Sequence, residues 1–132
     1  MMNNIYIFLE EYTLFFEEMV EAEKLKLSIL LSNDLKAIEE NILVQQVNAK
    51  RIENMERKRL ELFNSLGYNQ LTFKEIIQLN QDESNLLTDY YSRVEKAINQ
   101  IKHFNKKSLE LIRFNLSLSD KETSNDDMKG NR

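Results

Sequence analysis

Met55-Glu-Arg-Lys-Arg-Leu-Glu-Leu-Phe-Asn-Ser-Leu-Gly67, followed by Tyr68-Asn-Gln-Leu-Thr-Phe-Lys-Glu75, decides how this chain folds. Helix-compatible residues run without a break into Gly67, one of two glycines in 132 residues. Glycine enters the left-handed conformation that closes a helix at no steric cost, so the spacing predicts a helix end and a chain reversal there. Thr72, with Glu75 three residues on, has the form of a capping box, in which each side chain satisfies a free backbone donor of a new first turn. Proline is absent throughout. At an average usage of about 5% it would occur roughly seven times, so almost nothing interrupts a helix and the chain is built from a few long ones.

Upstream of this stretch, Leu35, Ile38, Ile42, Ala49, Ile52, Met55, Leu62 and Leu66 recur at mixed three and four spacing. They predict a second helix over about 35–66, with its apolar stripe lapsing only at Gln45 and Gln46. Ser32-Asn33-Asp34 supplies capping side chains and predicts a break or bend before it. In the first helix, Ile5, Leu9, Tyr12, Phe16 and Met19 form one apolar row, and Phe8, Tyr12, Phe15, Met19, Ala22, Leu25 and Ile29 a second beside it. Together they make an unusually wide apolar face, with Glu10, Glu11, Glu17, Glu18 and Glu21 on the remaining surface.

Downstream, Ile76, Ile77 and Leu79 predict a short helix that Gln81-Asp82 ends. A last long helix then starts near Glu83 and carries Leu87, Tyr90, Val94, Ile98, Ile101, Phe104, Leu111 and Ile112 to near Leu118. Residues 119–132 contain one apolar side chain, too little to offset their ordering entropy, and are expected to be a disordered tail. The expected fold is therefore all-α: one domain over 1–118, an antiparallel bundle of three long helices plus one short one, and a tail over 119–132.

Charge is unevenly placed within a net −4. Residues 1–44 hold nine acids against three bases, and 45–75 hold six bases against four acids, so antiparallel packing of those stretches is electrostatically favourable. Exposed pairs add only about 0–1 kcal/mol each. No clustered basic footprint for nucleic acid is present. Cysteine is absent, which removes disulfides and thiolate metal sites and agrees with a cytoplasmic location. The apolar start of the chain is split by Glu10 and Glu11 and lacks preceding bases, so neither a signal peptide nor a membrane insertion is expected.

Catalysis needs convergent reactive groups, and this chain offers poor material for an enzyme. Its one histidine, His103, has no acidic or nucleophilic partner at helical spacing. Glu17/Glu21 and Glu53/Glu56 lack the Glu-x-x-His partners of a helical di-metal site, so no metal or other cofactor is expected. Arg57-Lys58-Arg59 is flanked by Glu53, Glu56 and Glu61 and spreads around the helix, as a solvated, ion-paired face does.

The unusual surface is the far end of the last helix. Leu109, Leu111, Ile112, Phe114, Leu116 and Leu118 fall within ten residues and cover more than one helix face. One face docks on the bundle while another stays open to a partner helix. Burying a leucine contributes about 1.5–3 kcal/mol, so three captured side chains give a gross gain of about 5–9 kcal/mol and, after ordering costs, weak to micromolar affinity. The candidate partner-binding residues are Leu109, Leu111, Ile112, Leu116 and Leu118, with Asn105 as a polar contact that fixes register.

The segment Leu30-Leu31-Ser-Asn-Asp34-Leu35, Lys50, the E-x-x-R pair Glu56 and Arg59, and Leu66-Gly67 with Leu71-Thr72 resemble the FlgN-type flagellar export chaperones. So does Phe104-Asn105-Lys-Lys-Ser108-Leu-Glu-Leu111-Ile112 followed by Leu116, which is similar to that family's "L-N-x-x-N-x-x-L-I-x-x-x-L" with Phe104 for the first leucine and Ser108 for the second asparagine. The resemblance implies a small helical cytoplasmic chaperone, monomeric or weakly dimeric. It would hold the hook-associated proteins of the hook-filament junction through its C-terminal helix and hand them to the export gate or export ATPase of the flagellar type III apparatus. The rival expectation from the residues alone is a structural coiled-coil subunit that pairs with itself or with a scaffold protein.

Overall fold

The computed structural model describes residues 2–80 and 84–130, with side chains described over 4–80 and 85–118. The described residues form four helices and no strands: α1 (Met2–Ser32), α2 (Leu35–Ser65), α3 (Phe73–Leu79) and α4 (Ser84–Gly130).

Each boundary has a local cause. Asn33 takes a left-handed φ of 55°, which asparagine tolerates, and separates α1 from α2. Asp34 then caps α2 by accepting from the Ala37 N–H at 3.2 Å. At the other end Gly67 has φ 74°, its N–H donates to the Asn64 carbonyl, and the Tyr68 N–H reaches back to Phe63 at 2.8 Å. That pair of bonds is a Schellman closure. A Cβ at position 67 would meet nothing within 4 Å, so the backbone angle and not crowding is what calls for glycine there. Thr72 and Glu75 make both bonds of the capping box, at 3.1 and 3.3 Å. The expected stop at Gln81-Asp82 lies outside the described residues. The backbone of α4 remains helical to Gly130, beyond the expected end near Leu118, because neither proline nor glycine intervenes before Gly130. Side chains from 119 on, and with them the expectation of a disordered tail, lie outside the described residues.

Cross-helix pairs fix the directions. Glu11 meets Lys58, Tyr12 meets Glu56 and Glu18 meets Arg51, so position falls along α2 as it rises along α1 and the two are antiparallel. Glu17 meets Arg93, Lys24 lies over the Phe104 ring and Lys26 meets Asn105, so α1 and α4 run parallel. The bundle is thus up, down, up, with α1 packed along α4 more extensively than along α2, and α3 lying against α4. Among the described residues no Cα of α2 comes within 8 Å of one in α4.

The core sits at one end. Ile5, Phe8, Leu9, Tyr12, Phe15, Phe16, Met19 and Val20 of α1 are buried with Met55, Phe63, Ile76, Leu87 and Ala97. The aromatic rings interlock edge to face, Phe8 with Phe63 at 6.3 Å and Tyr12 with Phe16 at 4.8 Å between centroids. Phe73 of α3 stacks on Tyr91 at 5.4 Å. The wide apolar face expected for α1 is therefore real up to Val20, and beyond it Leu25 is exposed. The stripe expected for α2 holds at Met55, Leu62 and Leu66 and is turned away from the core earlier in the helix. Ile42 and Ala49 are exposed, and the buried positions are Asn41 and Asn48, seven apart. The reason is register: α2 must bury Met55 and Phe63 at its other end, and stepping back by heptads from Met55 lands on those asparagines.

Candidate partner-binding surface

Structural pairing accounts for many of the titratable groups near the core. Glu17 holds Arg93 through two bonds, at 2.6 and 3.3 Å, and this bond raises the pKa of the guanidinium. Glu18 receives both terminal nitrogens of Arg51, at 3.0 and 2.8 Å; that hydrogen bonding lowers the carboxyl pKa and raises the guanidinium. Tyr12 Oη donates to Glu56 Oε1 at 2.8 Å, and Arg59 Nε donates to Glu56 Oε2 at 2.9 Å. Burial first, and the adjacent Glu56 carboxylate second, push the Tyr12 phenol above its ordinary range. The E-x-x-R pair is thus an internal brace that ties α2 to α1. Lys58 pairs with Glu11 at 3.1 Å and Arg59 with Glu56, while Arg57 donates to the Asn54 amide oxygen, so the Arg57-Lys58-Arg59 run is spread around α2 with two of its three cations in ion pairs. Among the described residues no group of His, Cys, Asp and Glu is arranged to hold a metal ion, and no helix is long and apolar enough to cross a membrane.

The far end of the bundle is different. Leu109, Ile112, Phe114, Leu116 and Leu118 are exposed, Phe114 and Leu116 by 61% and 60%, and Leu111 is half-buried. At 100° per residue, Asn105, Leu109, Ile112 and Leu116 share one face of α4, whereas Leu111 and Leu118 fall with Phe114 on another. The six candidate residues therefore belong to two flanks. Between those flanks Ser108 is buried at the interface, its hydroxyl without a hydrogen-bond partner. A side chain as small as serine fits there because α4 lies close to α1.

Asn105 is exposed and accepts a bond from Lys26 Nζ at 3.1 Å. Lys26 also touches Glu23 Oε2 at 2.7 Å, an ionic contact without hydrogen-bond alignment. The three side chains tie the distal part of α1 to α4. Ile112 points into a hollow of about 510 Å³ whose floor is Ile29 and Leu30 of α1 and whose opposite wall is Ile38, Ile42 and Ala49 of α2. Sequence reasoning assigned Ile38, Ile42 and Ala49 to the core. The signal that reassigns them is the heptad Asn41, Asn48, Met55, which rotates α2 so that its isoleucines face the α4 side. A second hollow of about 540 Å³ lies nearer the core, between Glu56, Arg59 and Phe63 of α2 and Tyr91, Val94, Ile98 and Lys102 of α4, with Tyr12 and Phe16 beneath. Both open between α2 and α4 over α1. His103, expected to have no role, is exposed and sets its ring edge-on to Phe104 at 5.3 Å.

No family model, no characterised protein and no solved structure matches this chain. The described residues themselves define an all-α helical bundle.

Proposed function

We propose that the protein is a non-enzymatic flagellar export chaperone of the FlgN type. In this reading it acts in the cytoplasm, holds a hook-associated protein unassembled through the end of α4, and delivers it to the export gate or ATPase. One observation supports it above the others: five large apolar side chains at positions 109–118 lie open to solvent at the end of the molecule farthest from its core. Contiguous exposed apolar surface on a helix marks a place where another apolar face belongs. A client helix laid there is shielded from aggregation until export, and the affinity expected from a few leucines permits release. The double variant Ile112→Ala with Leu116→Ala is expected to abolish capture of purified hook-associated protein and to leave thermal unfolding nearly unaltered. Client capture at the unmodified level would remove the assignment.

A second reading, a self-associating structural subunit, is favoured by Leu43, Val44 and Val47, which form an exposed apolar cluster on the outer side of α2, Leu43 by 64%. Sedimentation over a range of concentrations separates the two. A constitutive oligomer supports the structural subunit, and a monomer supports the chaperone.

A further inference from the structure

Three long helices that share one floor but leave two walls apart have the form of a four-helix bundle with a member missing. The two hollows between α2 and α4 lie along α1 from Tyr12 to Leu30, about 27 Å at 1.5 Å per residue, the length of a helix of about 18 residues. Charge narrows what fits. From Lys102 to Leu118, α4 carries Lys102, Lys106, Lys107 and Arg113 against the single acid Glu110, a local excess of three positive charges in a chain of net −4. Among the described residues none of these four cations makes an ion pair or hydrogen bond, nor do Lys36 and Lys96, whereas Arg51, Lys58, Arg59 and Arg93 are paired. Lys102 stands on the lip of the hollow nearer the core, where Glu95 also lines it and Leu71, Thr72 and Phe73 bound it, so the positive excess belongs to the part of the cleft beyond Lys102.

We infer that the cleft between α2 and α4 is the seat of an acidic amphipathic helix from a partner. Its apolar stripe lies against Ile29, Ile42 and Ile112, and its carboxylates face Lys102, Lys106 and Arg113, which flank the Ile112 face of α4, whereas Lys107 lies on the opposite side. The inference builds on the chaperone reading by giving the client a chemistry and by making α2 the second wall of its site. Electrostatic matching of this kind sets partner choice and association rate.

The test uses two synthetic amphipathic helices of about three heptads, each with leucine along one face, one flanked by glutamate and the other by lysine. Fluorescence anisotropy with the full chain is expected to give at least about tenfold tighter binding of the glutamate peptide at low salt, a preference that shrinks as salt screens it. Lys102→Glu with Lys106→Glu is expected to erase the preference. Ile42→Glu on the wall of α2 is expected to weaken binding as strongly as Ile112→Glu, and Leu43→Glu on the outer side of α2 to leave it unaltered, with circular dichroism verifying the fold of each. Equal binding of the two peptides, or full affinity in the Ile42→Glu chain, overturns the cleft. Retained peptide binding supports the cleft even if hook-associated proteins fail to bind, and that second failure overturns the function proposed above instead.

Discussion

At the level of Leu9, Met55 and Leu87 the helices bury aliphatic and aromatic side chains from all four elements. At the level of Leu30, Ile42 and Ile112 the same three long helices bury Asn41, Asn48 and Ser108, while Leu25, Leu31, Ile42, Leu43, Leu109 and Leu116 lie exposed. Composition separates the two ends only in part: leucine and isoleucine are common to both, whereas the tyrosines and most of the phenylalanines lie at the first. Closure differs as well. At the first end α3 and the loop after Gly67 cover α4 and bring Phe73 and Ile76 to the core. At the second end only the tight Asn33-Asp34 connection joins two of the helices, and nothing in the described residues caps the apolar surface. Stability is therefore expected to reside at one end and recognition at the other.

The sharpest way to break this comparison is to remove one large side chain from each end. Leu9→Ala or Leu87→Ala is expected to cost about 2–5 kcal/mol in urea unfolding, because both are fully buried and leave a cavity. Leu116→Ala is expected to change stability by less than about 0.5 kcal/mol, as substitutions at exposed helical sites do. Similar losses at both ends would show that the far end is closed as well.

A smaller effect comes from the brace at the closed end. Tyr12→Phe is expected to cost about 1.5–3 kcal/mol, the range for a hydrogen bond to a charged group. The sign with pH follows from the raised phenol. Above about pH 10 an unfolded tyrosine ionises while the folded one stays protonated, so this contribution to stability falls as pH rises. In an alkaline titration of tyrosinate absorbance, one of the five tyrosines is expected to ionise only as the chain unfolds, and in the Tyr12→Phe chain that late step is expected to vanish.

Two further substitutions have the opposite sign. Among the described residues the buried hydroxyls of Thr13 and Ser108 have no hydrogen-bond partner. Removing an unsatisfied buried polar group is neutral or favourable, so Thr13→Val and Ser108→Ala are each expected to raise stability by up to about 1 kcal/mol in the same urea experiment. Destabilisation would mean that these hydroxyls have partners in solution. The smallest effect belongs to Glu18→Gln, less than about 1 kcal/mol, because both members of its pair with Arg51 are substantially exposed. Its depressed carboxyl makes that contribution complete at neutral pH and lost as pH falls through the carboxylate range, so the difference from the unmodified chain should disappear in acid.

Local signals in the sequence were sufficient wherever one residue has one physical role. Gly67, the Thr72 and Glu75 pair and the Ser32-Asn33-Asp34 break are legible because backbone conformation and capping are decided within a few residues. The apolar face of α1 is legible because it is wide enough to survive any small rotation. The face of α2 is not. Ile38, Ile42, Ala49 and Ile52 form a plausible stripe, yet the rotation of the helix is fixed at its far end by Met55 and Phe63 packing on α1, a long-range event that periodicity does not register. The candidate residues on α4 were likewise legible as an apolar excess. Their division into an Asn105, Leu109, Ile112 and Leu116 face and a Leu111 and Leu118 face, and the participation of α2, depended on where neighbouring helices stand.

The central claim is that apolar side chains at positions 109–118 of α4 are uncovered in the isolated chain while those around Leu87 are sealed. Because the chain contains no cysteine, single thiols report on each place without interference. Leu116→Cys is expected to react with a thiol reagent at the rate of an unstructured peptide, and Ala97→Cys, at a buried site, only as fast as the protein unfolds. Protection of position 116 comparable to that of position 97, in a dilute monomeric sample, would contradict the account.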